Sequence, residues 1–280
     1  MAVTAGSDGG GAEAVAPIKA ALLTADRFDE RRAFAELTRQ VRSGPRPAGS
    51  TTSRKLAERL RSVLPRGRFE PVPGGLRNVV GSIPGRRPVI VLAAHYDTKD
   101  LPGFVGANDG ASGTAAVLEL ARGLDLARRP RDAPELRFVL FDGEESPDDE
   151  RDFYSTGLRG SRAYAARRSR EIGKLILLDF VGDKRLRIRR EQGSDARLWA
   201  RLRAAARRVG AQATFPAGEV GEVTDDHTPF TRLGVDTIDL IDFDFACFHK
   251  SCDDLGAVSA DSLDQVGETV FELLRRLTAG

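Results

Sequence analysis

Imidazoles and carboxylates capable of chemistry fall at a few well-defined places in this 280-residue chain. The three histidines are His95 in His95-Tyr96-Asp97-Thr98, His227 closing Asp225-Asp226-His227, and His249 shortly before Asp253-Asp254. None lies on an apolar helical face, where a histidine would serve packing. A glutamate pair, Glu144-Glu145, follows Asp142-Gly143, and Asp109 sits within Gly106-Ala107-Asn108-Asp109-Gly110. Asp179 precedes Gly182-Asp183, and Asp242 and Asp244 come late. Imidazole and carboxylate are donors suited to zinc, and a catalytic zinc takes three protein ligands and keeps one position open. Adjacent glutamates can divide such work: one binds the ion while its neighbour faces the bound water or substrate as a base. Taken singly, these motifs have plainer readings. An acidic pair is ordinarily solvated, and Gly-Ala-Asn-Asp-Gly suits a turn with an Asp helix cap. The ordered combination is the specific signal.

The segments that lead into these residues are apolar. Pro88–Ala94 runs straight into His95, Leu136–Phe141 into Asp142, and Val235–Ile241 into Asp242, while Lys174–Phe180 carries Asp179 near its end. Short continuous apolar runs of this kind predict strands buried on both faces. Asn78–Ile83 is a further strand, and Leu186–Arg190 a short alternating one. Helical spacing links Phe28, Phe34, Leu37 and Val41 up to Ser43-Gly44-Pro45, and Ser50-Thr51-Thr52 caps a second helix carrying Leu56, Leu60 and Leu64. Ser112–Leu126, Gly160–Arg170, Asp195–Val209 and Ser262–Leu277 complete the helices. Strands alternating with helices imply an α/β fold: one domain, a three-layer α/β/α sandwich around a mostly parallel, mixed sheet. In such sheets ligands bind outside the carboxyl ends of the strands. Four strand ends and one helix-entry loop therefore offer their polar groups to a single crevice.

Composition bounds the remaining classes. There are 43 basic and 41 acidic residues, and only six of the basic ones are lysine. The two signs are interspersed, so the arginine excess gives no basic stripe and no nucleic-acid partner is expected. No stretch approaches the ~20 apolar residues of a membrane span. Residues 1–25 are Gly/Ala-rich and expected to be disordered, leaving 26–280 as the catalytic domain. The N-terminus lacks a basic n-region and an apolar core, which reads as cytoplasmic, or as secreted if a signal peptide has been removed. Cys247 and Cys252 are too few for a disulfide framework, and Cys-Phe-His-Lys-Ser-Cys lacks the other half of a zinc knuckle. Two small thiols are expected.

The order His95-Tyr96-Asp97-Thr98, Gly-Ala-Asn-Asp-Gly-Ala-Ser-Gly, Asp-Gly-Glu-Glu, Leu-Leu-Asp-Phe-Val-Gly, Asp-Asp-His-Thr-Pro-Phe and a late histidine before an acidic pair resembles the co-catalytic zinc aminopeptidases. Within that superfamily it looks closest to bacterial glutaminyl-peptide cyclotransferases. The resemblance covers about residues 28–277 and includes Gly-Pro-Arg-Pro-Ala-Gly-Ser at 44–50. It implies that Asp109, Glu145 and His249 hold a principal zinc, and that His95 and Asp179, with bridging Asp109, match the second zinc site of the aminopeptidases. Glu144 matches the general base and acid. Asp225 matches a carboxylate that shares protons with the equivalents of Glu144 and Asp179, which leaves His227 an orienting role.

Two reactions on peptide or protein N-termini could use this set. In hydrolysis, two ions hold a hydroxide and Glu144 passes its proton to the leaving amine. In cyclisation, one ion polarises the γ-amide of an N-terminal glutamine, and Glu144 relays a proton from the peptide's own α-amine to departing ammonia. There the nucleophile is already attached, so positioning supplies much of the rate. Glu144, Asp179 and Asp225 around one ion cannot all ionise, so a proton is shared; this favours the cyclase. Departures from the cyclase pattern lie in the substrate pocket. Phe248 stands where a Trp usually precedes the last zinc histidine, and Ser146–Arg159 has no Trp, only Phe153 and Tyr154. Phe248 and Tyr154 are the expected pocket aromatics, and Trp199 is expected to pack on its helix. An inactive binding domain on the same fold would have lost a ligand or Glu144, and none is lost.

Overall fold

The computed structural model describes residues 25–278. The segment expected to be disordered, 1–25, thus falls almost entirely outside the described residues. In chain order the elements are α1 (Glu30–Arg42), α2 (Thr51–Val63), β1 (Arg68–Val72), β2 (Leu76–Ile83), β3 (Arg86–His95), α3 (Ala111–Leu126), β4 (Pro134–Phe141), α4 (Phe153–Thr156), α5 (Arg159–Arg168) and β5 (Ile172–Leu178). These are followed by β6 (Arg190–Glu191), α6 (Ala196–Val209), β7 (Glu219–Val220), α7 (Thr228–Thr231), β8 (Asp236–Leu240) and α8 (Ala260–Thr278).

The main sheet has six strands in the order β1-β2-β4-β3-β5-β8. β3, β4, β5 and β8 run parallel, and β2 and β1 add an antiparallel margin. Successive side chains of a strand face opposite layers, and the sheet builds two cores from this alternation. Ile90, Leu92 and Ala94 face the layer that holds α1, α2, α3, α6 and α8. Val89, Val91 and Ala93 face Tyr164 of α5 and Phe230 of α7. This is the expected three-layer sandwich.

Local signals set the helix starts. Ser50 accepts from the Ser53 N–H, and Asp29 and Asp195 cap α1 and α6 in the same way. The expected strand at Leu186–Arg190 is a correction: only Arg190–Glu191 pairs, with Glu219–Val220. Leu186 and Ile188 are buried as their alternation requires. However, the Arg187 N–H goes to the Asp242 carboxylate and the Ile188 N–H to the Thr214 carbonyl, not to a neighbouring strand. Among the described residues no helix is long and apolar enough to cross a membrane.

Candidate metal centre

The parallel strands deliver their chemistry at one end. His95 is the last residue of β3, the glutamate pair follows β4 through Gly143, and Asp179 follows β5 with its N–H on the Leu240 carbonyl of β8 at 2.9 Å. Asp109 enters α3 through Gly110, whose φ of +84° suits glycine. A Cβ on Gly110 would stand 2.6 Å from the Asp97 carbonyl oxygen and 3.2 Å from the His95 ring, so the chain approaches closely there. His249 comes from the segment after β8.

Two donor sets result, and they share Asp109. His249 Nε2 lies 3.5 Å from Asp109 Oδ2 and 3.4 Å from Glu145 Oε1. His95 Nε2 lies 3.3 Å from Asp109 Oδ1 and 3.4 Å from Asp179 Oδ1. Zinc bonds to nitrogen and oxygen are about 2.0–2.1 Å, so a tetrahedron of such donors has edges of about 3.3 Å. Asp109 Oδ2, Glu145 Oε1 and both His95 nitrogens are buried and have no hydrogen-bond partner. Buried polar atoms are ordinarily satisfied, so these orphaned donors at zinc-like separations fit a zinc site.

Backbone contacts hold the donors in place. Asp97 accepts from the N–H groups of Glu144 and Glu145, both at 3.2 Å. Asp253 accepts from Asn108 and Asp109 at 2.7 and 3.0 Å. Arg46, fully buried, donates to the carbonyl oxygens of Tyr96, Val105 and Gly106 at 3.0, 2.5 and 2.8 Å. Lys99 donates to the Ser146 carbonyl at 2.8 Å, pairs with Asp149, and stands 3.9 Å from Glu145 Oε2.

The charge balance is lopsided. Burial, then Glu145, pushes the Asp109 carboxyl up to about 7, against the pull of His95. Burial raises Glu144 well above the usual carboxylate range, and Glu145, Asp225 and Asp226 add to it. Burial, then Asp179 and Asp226, does the same to Asp225. Burial opposes charge on His95, but Asp179, Asp109 and Asp97 outweigh it and raise its pKa. Crowded carboxylates with so little countercharge are what a bound divalent cation would neutralise.

A second row lies behind Asp225. Asp225, His227 and Asp239 bring one donor atom each within 4.8 Å of one another. His227 Nε2 is 3.6 Å from Glu191 Oε1, and Nδ1 is 3.6 Å from Asp239 Oδ2. Burial lowers the His227 pKa to about 4. His227 therefore sits away from the two zinc-like sets, beside two acids that the sequence analysis did not single out. Asp239 carried a signal: it is an acid at an inward position of a strand whose neighbours Ile238 and Leu240 are fully buried.

The donors open into a cavity of about 470 Å³ with Glu144, Asp225, Phe153, Phe180, Phe243 and Phe248 on its wall. Phe248 stacks on the His249 ring with centroids 3.9 Å apart. The ring of Tyr154, the other expected pocket aromatic, lies under the Arg232 guanidinium at 3.7 Å, and its neighbour Phe153 is on the cavity wall. Cys247 and Cys252 are not thiols but a disulfide, because the turn between them brings their Cα atoms to 5.4 Å.

Comparison with known proteins agrees with this geometry. The glutaminyl-peptide cyclotransferase-like protein of Bos taurus is 32% identical over 218 residues, 65% of this chain and 55% of that protein. The chain thus spans about half the length of that curated relative. The glutaminyl cyclase of an Acidobacteriales bacterium superposes with a TM-score of 0.80 at 29% identity, covering 94% of this chain and 98% of that one. A Zn-dependent exopeptidase from Parabacteroides distasonis gives a TM-score of 0.78 at 26% identity, covering 89% and 98%. Residues 78–274 match the model of peptidase family M28, and with its donors, sheet and strand ends arranged in this way the chain belongs to that family.

Proposed function

We propose that this chain is a zinc-dependent glutaminyl-peptide cyclotransferase, converting an N-terminal glutamine into pyroglutamate with release of ammonia. The observation that carries this reading is the meeting of Glu144, Asp179 and Asp225, all buried, at the mouth that also holds the donor set of Asp109, Glu145 and His249. One zinc held by Asp109, Glu145 and His249 would supply Lewis-acid polarisation of the substrate's γ-amide.

The chain's own residues do the rest. Glu144 takes a proton from the peptide's α-amine as that nitrogen closes on the γ-carbonyl carbon, and hands it to the departing ammonia. Asp225 holds a proton beside it, since burial and then the neighbouring Asp179 and Asp226 carboxylates disfavour its charge. Phe248, Phe243 and Phe153 form an apolar wall that excludes water competing with the amine.

The second donor set, His95, Asp109 and Asp179, favours a second reading, a two-zinc aminopeptidase. Mass spectrometry of a Gln-initiated peptide separates the two. The cyclase leaves the backbone intact minus one ammonia, whereas the aminopeptidase releases a free amino acid. Release of the first residue with two zinc ions per chain would overturn the proposal. The Cys247–Cys252 crosslink supports work in an oxidising compartment, not the reducing cytoplasm.

A further inference from the structure

We propose that the Cys247–Cys252 disulfide is a positioning device for the metal donor His249, so that zinc retention depends on the oxidation state of this pair. The inference rests on the zinc-binding reading of Asp109, Glu145 and His249, but not on which reaction follows.

His249 differs from the other donors. His95, Asp109, Glu145 and Asp179 all have 7% side-chain exposure or less, and each sits at a strand end or a helix entry. His249 is 28% exposed and lies in a segment with neither helix nor strand between Leu240 and Ala260. Its φ is +50°, the left-handed region that a non-glycine residue keeps only when its surroundings enforce it.

Two anchors flank it. Upstream, Phe245 is buried against Phe180 with centroids 6.0 Å apart. Downstream, Asp253 holds the amides of Asn108 and Asp109, and the Ala107 N–H donates to its carbonyl at 3.2 Å. Between these anchors Ala246, Phe248, Lys250, Ser251 and Cys252 are exposed. The internal bonds of the turn are few: Phe248 N–H to the Phe245 carbonyl, Lys250 N–H to the Cys247 carbonyl, Asp253 N–H to the Lys250 carbonyl, and Lys250 Nζ to the Ala246 carbonyl. The crosslink closes the turn that carries His249. A loop this short removes less unfolded-state entropy than a long one, so its main effect is local: it fixes the backbone on both sides of the ligand.

Cys252 is exposed and Cys247 half-buried, so a small monothiol can reach the Cys252 sulfur. The first thiolate breaks the Sγ–Sγ bond, leaving a mixed disulfide at Cys252 and a Cys247 thiolate that takes up a proton. A second monothiol releases Cys252 as a thiol, so two small thiols are oxidised to one small disulfide while the protein pair is reduced. The left-handed turn at His249 then relaxes, and one donor of the set drifts from its partners.

The test is a zinc titration against a chromophoric chelator, with no reductant present. It compares the parent chain, Cys247→Ala/Cys252→Ala, His249→Ala, and the combination of all three. Groups that orient metal ligands typically change metal affinity about 10–100-fold, and the double cysteine variant is expected to weaken zinc by about tenfold or more. In the His249→Ala background, removing the cysteines is expected to cost nothing further, because the crosslink acts through that ligand. A double variant that binds zinc like the parent overturns the proposal. So does a loss of equal size in both backgrounds, which would mark a general scaffold effect. If His249→Ala alone binds zinc normally, the reading of the zinc site fails first, and that result is separate from the other two. Should the double variant not fold, the folded parent is reduced with a phosphine, which becomes the phosphine oxide with oxygen from water as each sulfur gains a proton. Its thiols are then alkylated, the reagents removed and zinc titrated, with the same tenfold loss expected; parent-like affinity of that sample overturns the proposal.

Discussion

Arg46 offers a sharp test of how the centre is held. Its side chain is fully buried, and its guanidinium donates to three backbone carbonyls at 3.0 Å or less, with the Asp109 carbonyl a weaker fourth at 3.5 Å. Burial lowers its pKa to about 10, while Asp109, Asp253 and Asp97 pull the other way, so it remains a cation at neutral pH. Arg46→Ala leaves the carbonyls of Tyr96, Val105 and Gly106 without that donor. Leaving a buried acceptor unsatisfied costs about 1–3 kcal/mol, so the three together place the loss at about 3–6 kcal/mol after partial relaxation. That is a large share of the ~5–15 kcal/mol by which domains are stable. Arg46→Lys keeps the charge but not the fork, and about half of the loss is expected. Urea unfolding of the zinc-loaded protein reads the stability, and chelator competition reads the metal. Because the same guanidinium fixes the Val105–Asp109 loop, zinc affinity is expected to fall at least tenfold in Arg46→Ala. A variant within about 1 kcal/mol of the parent and with parental zinc affinity would refute the reasoning.

Two other outcomes are expected. Glu144→Gln is expected to keep its zinc, since Glu144 belongs to neither zinc-like donor set, and to lose about 10²–10⁴-fold in turnover, the usual contribution of a general acid–base group; a stopped assay for ammonia or amino-acid release checks it, and turnover within tenfold of the parent would remove Glu144 from the proton path. The metal-free protein is expected to grow more stable as the pH falls from about 8 toward 5. Asp109 and Asp226 have folded pKa values of about 7, well above their unfolded value of 3.8, so the folded state binds more protons than the unfolded one in this window and pays a penalty above it. Thermal melts of chelator-stripped protein across that range check the sign, and stability that falls on acidification from 8 to 6 would count against the crowded-carboxylate description.

Much of this was legible in the residues because the signals were local and periodic. Pro88–His95 and Leu136–Phe141 are apolar without interruption and end in polar groups, so strand and donor could be read together. β1 was not legible: it carries Pro71, which argues against a strand except at an edge, and β1 is the edge. The segment at 186–189 failed for the opposite reason: Leu186 and Ile188 are buried in alternation, but the N–H groups of Arg187 and Ile188 go to Asp242 and Thr214 and not to a strand. Tyr154 and Phe153 are neighbours, and which of them faces the cavity depends on the angle at which the short α4 leaves the glutamate loop. The disulfide depends on a turn around a left-handed histidine, a conformation that composition does not announce. Glu191 and Asp239 went unread because a lone acid near a strand is ordinarily solvated; only the fold brings them to His227.

The donors are far apart along the chain, and the last of them, His249, lies near its end. At roughly 5–20 residues per second of synthesis, the ribosome makes His249 on the order of ten to thirty seconds after His95. Until then the set of Asp109, Glu145 and His249 cannot form, whereas His95, Asp109 and Asp179 are all present once Asp179 has been made. The two donor sets therefore become complete at different points of synthesis, and the one that includes His249 is completed second.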